Sequence, residues 1–183
     1  MDDRGDTTKA ERPLPSGVGV ERRTRSVPWL PPDFVHPRSV VLRTGHHLRP
    51  IREADLHIDY PAVMGSRERL WSLFGEAWGW PPESLTLEQD REELARHERE
   101  ANAHESFNYA ILDTEETILF GCVYIDPPAD DDDDADADVW WWVVDEAVGT
   151  DLEQALQEFI PHWIGEDWPF SSPRLHPNRL AGP

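Results

Sequence analysis

Hydrophobic positions change period several times along the chain, and each change marks an element. Residues 139–144, VWWWVV, are an unbroken run of β-branched and aromatic side chains. A run this short and this apolar predicts a strand covered on both faces, inside a sheet rather than at its edge. After it, Leu152, Ala155, Leu156, Phe159, Ile160, Trp163 and Ile164 recur at the spacing of one helical stripe facing a core. Thr150 and Glu153 stand at capping-box spacing, which sets the helix start close to Gly149. Pro161 lies inside the stripe and removes one backbone donor, which predicts a kink or a break. A strand turning through glycine into a helix N-terminus aims several free amides at one spot, suited to the phosphates of a nucleotide-like cofactor. An ordinary strand-helix unit with an ordinary cap has the same pattern.

Upstream, residues 1–26 are polar and punctuated by proline and glycine, with too little apolar content to offset the entropy of ordering, so a flexible tail is expected. The single domain spans 27–183. It opens with an extended arm, 27–38, in which Trp29, Leu30, Phe34 and Val35 stand between prolines. Residues 39–42 and 48–51 read as short strands around the turn Thr44-Gly45. The period then lengthens. Ala54, Leu56, Ile58, Tyr60, Val63 and Met64 predict a helix bent near Pro61. Ser66 is placed to cap a second helix through Leu70, Trp71, Leu73 and Phe74, broken by residues 75–82.

Thr86 and Gln89 form another capping-box pair, opening a charged helix to about Ala103 with Leu87, Leu94 and Ala101 turned inward. Residues 107–112 and 117–125 predict a hairpin, in which Gly121 marks a bulge or a close backbone approach. The acidic tract 130–134, with Asp136 and Asp138, belongs in a solvated loop. It lacks the sixth-position glycine and the closing glutamate of a calcium loop.

Composition narrows the partners. The chain has 183 residues, enough for one domain with a real core, and a formal net charge of -20 from 37 acidic and 17 basic residues. Such a field repels nucleic acid and an anionic membrane surface. Lys9 is the sole lysine; a salt-rich cytoplasm and a high-GC coding bias explain that composition equally well. Cys122 is the only cysteine, so no intramolecular disulfide forms and a reducing cytoplasm is the expected setting. No stretch reaches the length of a membrane-spanning helix. Arg22-Arg23 is followed by no apolar segment, which argues against twin-arginine export.

The order of elements, β-α-α-β-β-β-α-β, resembles the GNAT superfamily of acyl-CoA-dependent N-acyltransferases. The resemblance is carried by LRPIREAD at 48–55, similar to the family's first strand entering its first helix, and by FNYAILD and ILFGCVYIDP within 107–127, similar to its central hairpin. The stretch 139–170 takes the place of its fourth strand and cofactor-binding helix. The fold class implied is α/β (α+β), with a mixed, mostly antiparallel sheet flanked by helices. The resemblance implies acetyl-CoA or another acyl-CoA in a V-shaped opening beside the fourth strand. Its pantetheine would pair near Trp142, Val143 and Val144, and its pyrophosphate would sit on Gly149, Thr150 and Asp151.

Two departures accompany it. In the family's phosphate-turn pattern, Val148 replaces the basic residue, Asp151 a glycine and Glu153 a small residue, so two carboxylates oppose an anion there. The C-terminal part is also short, and no tyrosine follows Tyr124 to serve as general acid. The missing sheet edge implies cover by the N-terminal arm or by a second subunit in a homodimer.

The implied chemistry needs a base to deprotonate the amine, amides to hold the oxyanion and an acid for the thiolate. Asp138, at the mouth of the fourth strand, is the candidate base, or one more solvated carboxylate. Tyr124 is the candidate acid or substrate contact, or a packing residue. Cys122 has no cationic neighbour in sequence and reads as a buried structural thiol. His46-His47, His97 and His104 lack metal-ligand spacing, and no metal is expected. The tryptophans are core and interface mass, and a few lining a cleft would suit an aromatic or cationic amine. Two functions are thus carried forward. One is an N-acyltransferase acting on a small amine or a protein amino group, favoured by the retained order of elements. The other is a catalytically inactive GNAT-like interaction module, favoured by Asp151 and Glu153.

Overall fold

The computed structural model describes residues 28–128 and 134–176. The predicted tail 1–26, Val27 at the head of the arm, Asp130 to Asp133 of the acidic tract and the last residues 177–183 lie outside the described residues. Six strands lie in the sheet in chain order: β1 (Val40–Val41), β2 (His47–Pro50), β3 (Phe107–Leu112), β4 (Leu119–Asp126), β5 (Ala137–Val143) and β6 (Pro173–His176). Every neighbouring pair is antiparallel except β5 with β6, which run parallel. A parallel return requires a crossover, and α5 (Asp151–Asp167) provides it. The all-apolar run of β5 accordingly sits between two strands.

Side chains alternate across the sheet. Tyr109, Val123 and Trp141 are in register on one face, where the Trp163 ring of α5 meets Tyr109 edge-on at 5.0 Å. Asn108, Tyr124 and Trp140 are in register on the other, under α1 (Leu56–Gly65) and α4 (Leu87–Ala103). The stripe of α5 is buried as expected, apart from a partly accessible Phe159. Pro161 does not break this helix, because the residue lies on the exposed side, where water reaches the carbonyl it leaves without a donor.

Three local expectations are corrected. Ser66 does not cap the second helix; its hydroxyl accepts from the Asp145 amide at 2.9 Å instead. That helical stretch runs on through α2 (Arg67–Leu70), a π-helical turn over Trp71–Gly75 and α3 (Glu76–Trp78), and ends at Gly79, which supplies the left-handed φ of 63°. In α4 the Thr86 and Gln89 box forms, but Leu87 is 55% exposed. The inward stripe is Asp90, Leu94, His97 and Ala101, half of it polar.

Arg49 ties the first half of the chain together. It is 4% exposed, and its two Nη atoms donate to the Asp55 carboxylate at 2.7 and 2.8 Å. Its Nε donates to Glu116 at 2.9 Å, so β2, the entry to α1 and the β3–β4 turn share one cation. Hydrogen bonds from Arg49, aided by His47, hold the Glu116 carboxyl down at about 2. The described part of the arm docks where the sheet and α5 end. Trp29 Nε1 donates to the Asp136 carbonyl at 2.7 Å and its ring stacks on Phe170 at 5.4 Å.

Gly121 is both a bulge and a close approach. The β3–β4 register shifts between Ile111 and Leu112, and Gly121 has a φ of 150°. A Cβ there would lie 1.9 Å from the Trp142 carbonyl oxygen. Gly121→Ala is expected to destabilise the protein by about 3 kcal/mol or more, through strain and overpacking at the β4–β5 ladder. Chemical denaturation of the two proteins would check this; equal midpoints would contradict the packing described.

Candidate active site

The site is built around β5. On the β4 side, pairing runs from Asp138 to Val143. On the β6 side the pairing among the described residues covers Ala137 to Trp140, reaching the Trp140 and His176 pair, where the described residues end. From Val143 the chain passes through a 3-10 turn (Asp145–Ala147) to the start of α5.

The three strand residues expected beside a cofactor fall into different settings. Trp142 is buried, and its indole Nε1 donates to the Tyr124 hydroxyl at 3.2 Å. The Val143 carbonyl accepts from Arg69 Nη2, and Arg69 Nε pairs with Asp145 at 2.6 Å. The Val144 amide donates back to Phe120 at 2.8 Å, towards β4. At the turn, Gly149, Thr150 and Asp151 are exposed together. The capping box foreseen there takes another form. The Thr150 hydroxyl donates to the Ala147 carbonyl at 2.7 Å, and Glu153 accepts from the Gly149 amide at 2.7 Å. A carboxylate of the chain thus occupies one of the amides an incoming phosphate would use.

Asp138 is not a free carboxylate. Arg174 grips both its oxygens, at 2.7 and 2.8 Å, and His176 Nε2 lies 2.7 Å from Oδ1. Burial opposes its ionisation, but these bonds from His176 and Arg174 outweigh it and hold the carboxyl below the ordinary range. An anchored carboxylate of lowered basicity suits orienting a neighbour better than taking a proton. The neighbour is His176. Because Asp138 only accepts, Nε2 carries the hydrogen, which leaves Nδ1 as the basic nitrogen of the neutral ring. The imidazole lies flat on Trp140, its partner in the β5–β6 register, centroids 3.5 Å apart. Sequence reasoning missed His176, whose only signal was an imidazole in the strand foreseen beside the fourth.

Tyr124 faces the α1 and α4 side, with Cys122 two residues before it. Burial raises its hydroxyl well above the usual value, so it keeps its proton at any physiological pH. Burial likewise raises the Cys122 thiol, which removes it as a nucleophile. Beside them lies a cluster that the sequence did not disclose. Asp59 and Asp90 are buried and hydrogen-bonded to each other, and Glu93 is hydrogen-bonded to Trp80. Burial, reinforced by the repulsion of Asp90, pushes Asp59 well up. Burial raises Asp90 to about 6 and Glu93 to about 7. Aromatic rings pack against one another nearby: Phe74 stacks on Trp78 at 4.4 Å, Trp78 meets Trp140 edge-on at 4.7 Å and Trp80, the partner of Glu93, lies 6.1 Å from Trp142. Among the described residues no group of three His, Cys, Asp or Glu is arranged to hold a metal ion, and no helix is long and apolar enough to cross a membrane.

A sheet in this order, in which a parallel strand follows a crossover helix, has counterparts among solved structures. Ribosomal-protein-S5-alanine acetyltransferase from Vibrio fischeri superposes with a TM-score of 0.52 at 17% identity, over 69% of this chain and 67% of that one. The chain has the fold of the GNAT superfamily. RimL, a ribosomal L7/L12 alpha-N-protein acetyltransferase, matches this GNAT sheet with a TM-score of 0.54 at 16% identity, over 71% of this chain and 67% of its own. Its complex with coenzyme A gives 0.53 at 16%, over 71% and 70%. No protein-family model and no curated protein sequence matches the chain.

The buried acids set a pH dependence with a definite sign. Asp59, Asp90 and Glu93 bind protons more tightly folded than unfolded, so their contribution is full below pH ~4; that of Asp90 and Glu93 is lost as pH rises through about 6 and 7, and that of Asp59 well above the ordinary carboxylate range. Glu116 and Asp138 act oppositely, losing theirs as pH falls below ~4. The melting temperature is therefore expected to be higher at about pH 5 than at pH 8, by roughly 5 °C or more. Scanning calorimetry across that range checks it, and Glu93→Gln should flatten the slope.

Proposed function

We propose that the protein is an acyl-CoA-dependent N-acyltransferase, with acetyl-CoA as cosubstrate and a small amine or a protein amino group as acceptor. The observation that carries this reading is the Asp138 and His176 pair, hydrogen-bonded at 2.7 Å where β5 and β6 run parallel. The neighbouring folds belong to acetyltransferases, one of them bound to coenzyme A, which supports the same assignment. In the proposed reaction His176 Nδ1 takes a proton from the acceptor, and Asp138 holds the ring and stabilises the imidazolium. Backbone amides of β5 steady the oxyanion. Tyr124, with its raised pKa, is a weak acid towards a thiolate and is better cast as a wall of the acceptor site.

Glu153 on the Gly149 amide favours the second reading, a fold retained without catalysis. Titration calorimetry with acetyl-CoA and with free CoA, at low and high salt, separates the two. Micromolar binding is expected, strengthened by Glu153→Gln about 3- to 10-fold at low salt and less at high salt. No binding up to millimolar, in either protein and at either salt, would leave the interaction module. Given binding, His176→Asn should lower kcat by about 100-fold while acetyl-CoA affinity is kept; an unchanged kcat would remove His176 from the reaction.

A further inference from the structure

The reaction above leaves one buried imidazole, His36 of the arm, without a task. The residue is 1% exposed, and neither ring nitrogen has a hydrogen-bond partner among the described residues. Its ring lies 4.9 Å from Phe107 at the start of β3 and meets His104, just past the end of α4, edge-on at 5.5 Å. A neutral imidazole carries one N–H, whereas the protonated ring carries two and a positive charge. Burying the charged form without an acceptor costs far more than burying the neutral one. Burial, reinforced by Arg38 and then by His104, holds His36 down at about 4. Of the other ionisable groups on the neighbouring elements, Asp33, Glu105 and Asp167 are exposed, and burial keeps the Tyr109 hydroxyl protonated.

His36 sits in the middle of the arm's attachment. On one side of it Trp29 holds the Asp136 carbonyl and stacks on Phe170, and Phe34 packs against Trp168 at 5.4 Å. On the other, the Pro37 carbonyl accepts from the Tyr109 hydroxyl at 2.7 Å. Residues 28–39 form neither helix nor strand, so side chains rather than a ladder fasten them, and they can lift without breaking the sheet. The arm also lies on the junction that feeds the site. Asp136, whose carbonyl Trp29 holds, accepts through its carboxylate from the Ser171 and Ser172 amides, at the entry to β6.

We infer that residues 29–37 are an acid-released strap: a proton reaches His36 only when the arm lifts from Phe107 and His104, and lifting uncovers Phe107, Trp168 and Phe170 and loosens the entry to β6. This holds whether or not the protein is an acyltransferase. The released ring takes up a proton near the ordinary histidine value of ~6.5 and the docked ring only near 4, so docking is full above pH ~6.5 and weakens as pH falls below it. The ratio of released to docked arm should therefore rise roughly 30-fold between pH 7.5 and pH 5. The sign is opposite to that of the acids on α1 and α4, which add stability to the whole protein towards pH 5.

The test is amide hydrogen exchange of the full chain, read by mass spectrometry at pH 7.5 and pH 5 with the intrinsic pH dependence of exchange divided out. Protection of residues 29–37 is expected to fall about 10- to 30-fold at the lower pH, and that of 171–176 to fall with it, while β3 and β4 keep theirs. His36→Phe, which fills the same apolar site without a proton to accept, should keep the arm protected at both pH values. Unchanged protection of 29–37 in the wild type, a fall shared equally by β3 and β4, or an equal fall in folded His36→Phe would overturn the inference. Should His36→Phe not fold, an NMR titration of the wild-type His36 ring decides. The ring is expected to gain its proton in step with the loss of arm protection, and a ring that titrates while the arm stays protected would overturn the strap.

Discussion

The site depends on β5, which is bonded to β4 from Asp138 to Val143 and, among the described residues, to β6 from Ala137 to Trp140. A strand bonded on both sides is fixed in place. The Asp138 contacts with Arg174 and His176 lock the start of β5 to β6. Its far end is held by Arg69, which bonds the Val143 carbonyl and Asp145 together, and by the Gly121 bulge, which lets the Trp142 carbonyl approach β4. Charge therefore fixes both ends of the strand, and the absence of a side chain at Gly121 lets the second one close.

Charge is used in two opposed ways on the same face of the sheet. Around Arg49 the carboxylates are fully matched, and breaking such a buried set would cost about 3–5 kcal/mol. Around Asp59 and Asp90 they are left without a cation, so near neutral pH the fold carries an electrostatic cost there. Of two neighbouring clusters, the one at Arg49 is matched by a cation of the chain, and the one at Asp59 and Asp90 is held by a hydrogen bond between its two carboxyl groups.

The period of the apolar residues made most of the elements legible. The strands at 107–112 and 139–144 and the stripe of α5 follow from local pattern, because apolar burial imprints itself on spacing. Polar burial leaves no such imprint. Asp90 and His97 sit in a helix that reads as charged all round, and nothing local separates them from the exposed acids beside them. The same ambiguity promoted Leu87, which is apolar yet faces water because the polar stripe, not the leucine, set the rotation of α4. Thr150 and Glu153 had capping-box spacing but found other partners, as the 3-10 turn brought the Ala147 carbonyl to the hydroxyl first. Asp138 was picked out by its position, while His176 acquires its role only through the parallel pairing of strands separated by a whole helix.

The docked arm has a consequence for the order in which the fold can be completed. Trp29 is hydrogen-bonded to a carbonyl 107 residues later and stacked on Phe170 later still. During synthesis, which proceeds from the N-terminus, the arm's aromatic residues are made long before the surface they cover. Contacts of such wide sequence separation close late, after the hairpins and helices between them have formed. Until then Trp29 is an apolar group without a site, open to chaperones or to a neighbouring chain. The segment that carries Phe170 therefore completes the shelter of the first tryptophan only a few residues before β6 pairs with β5.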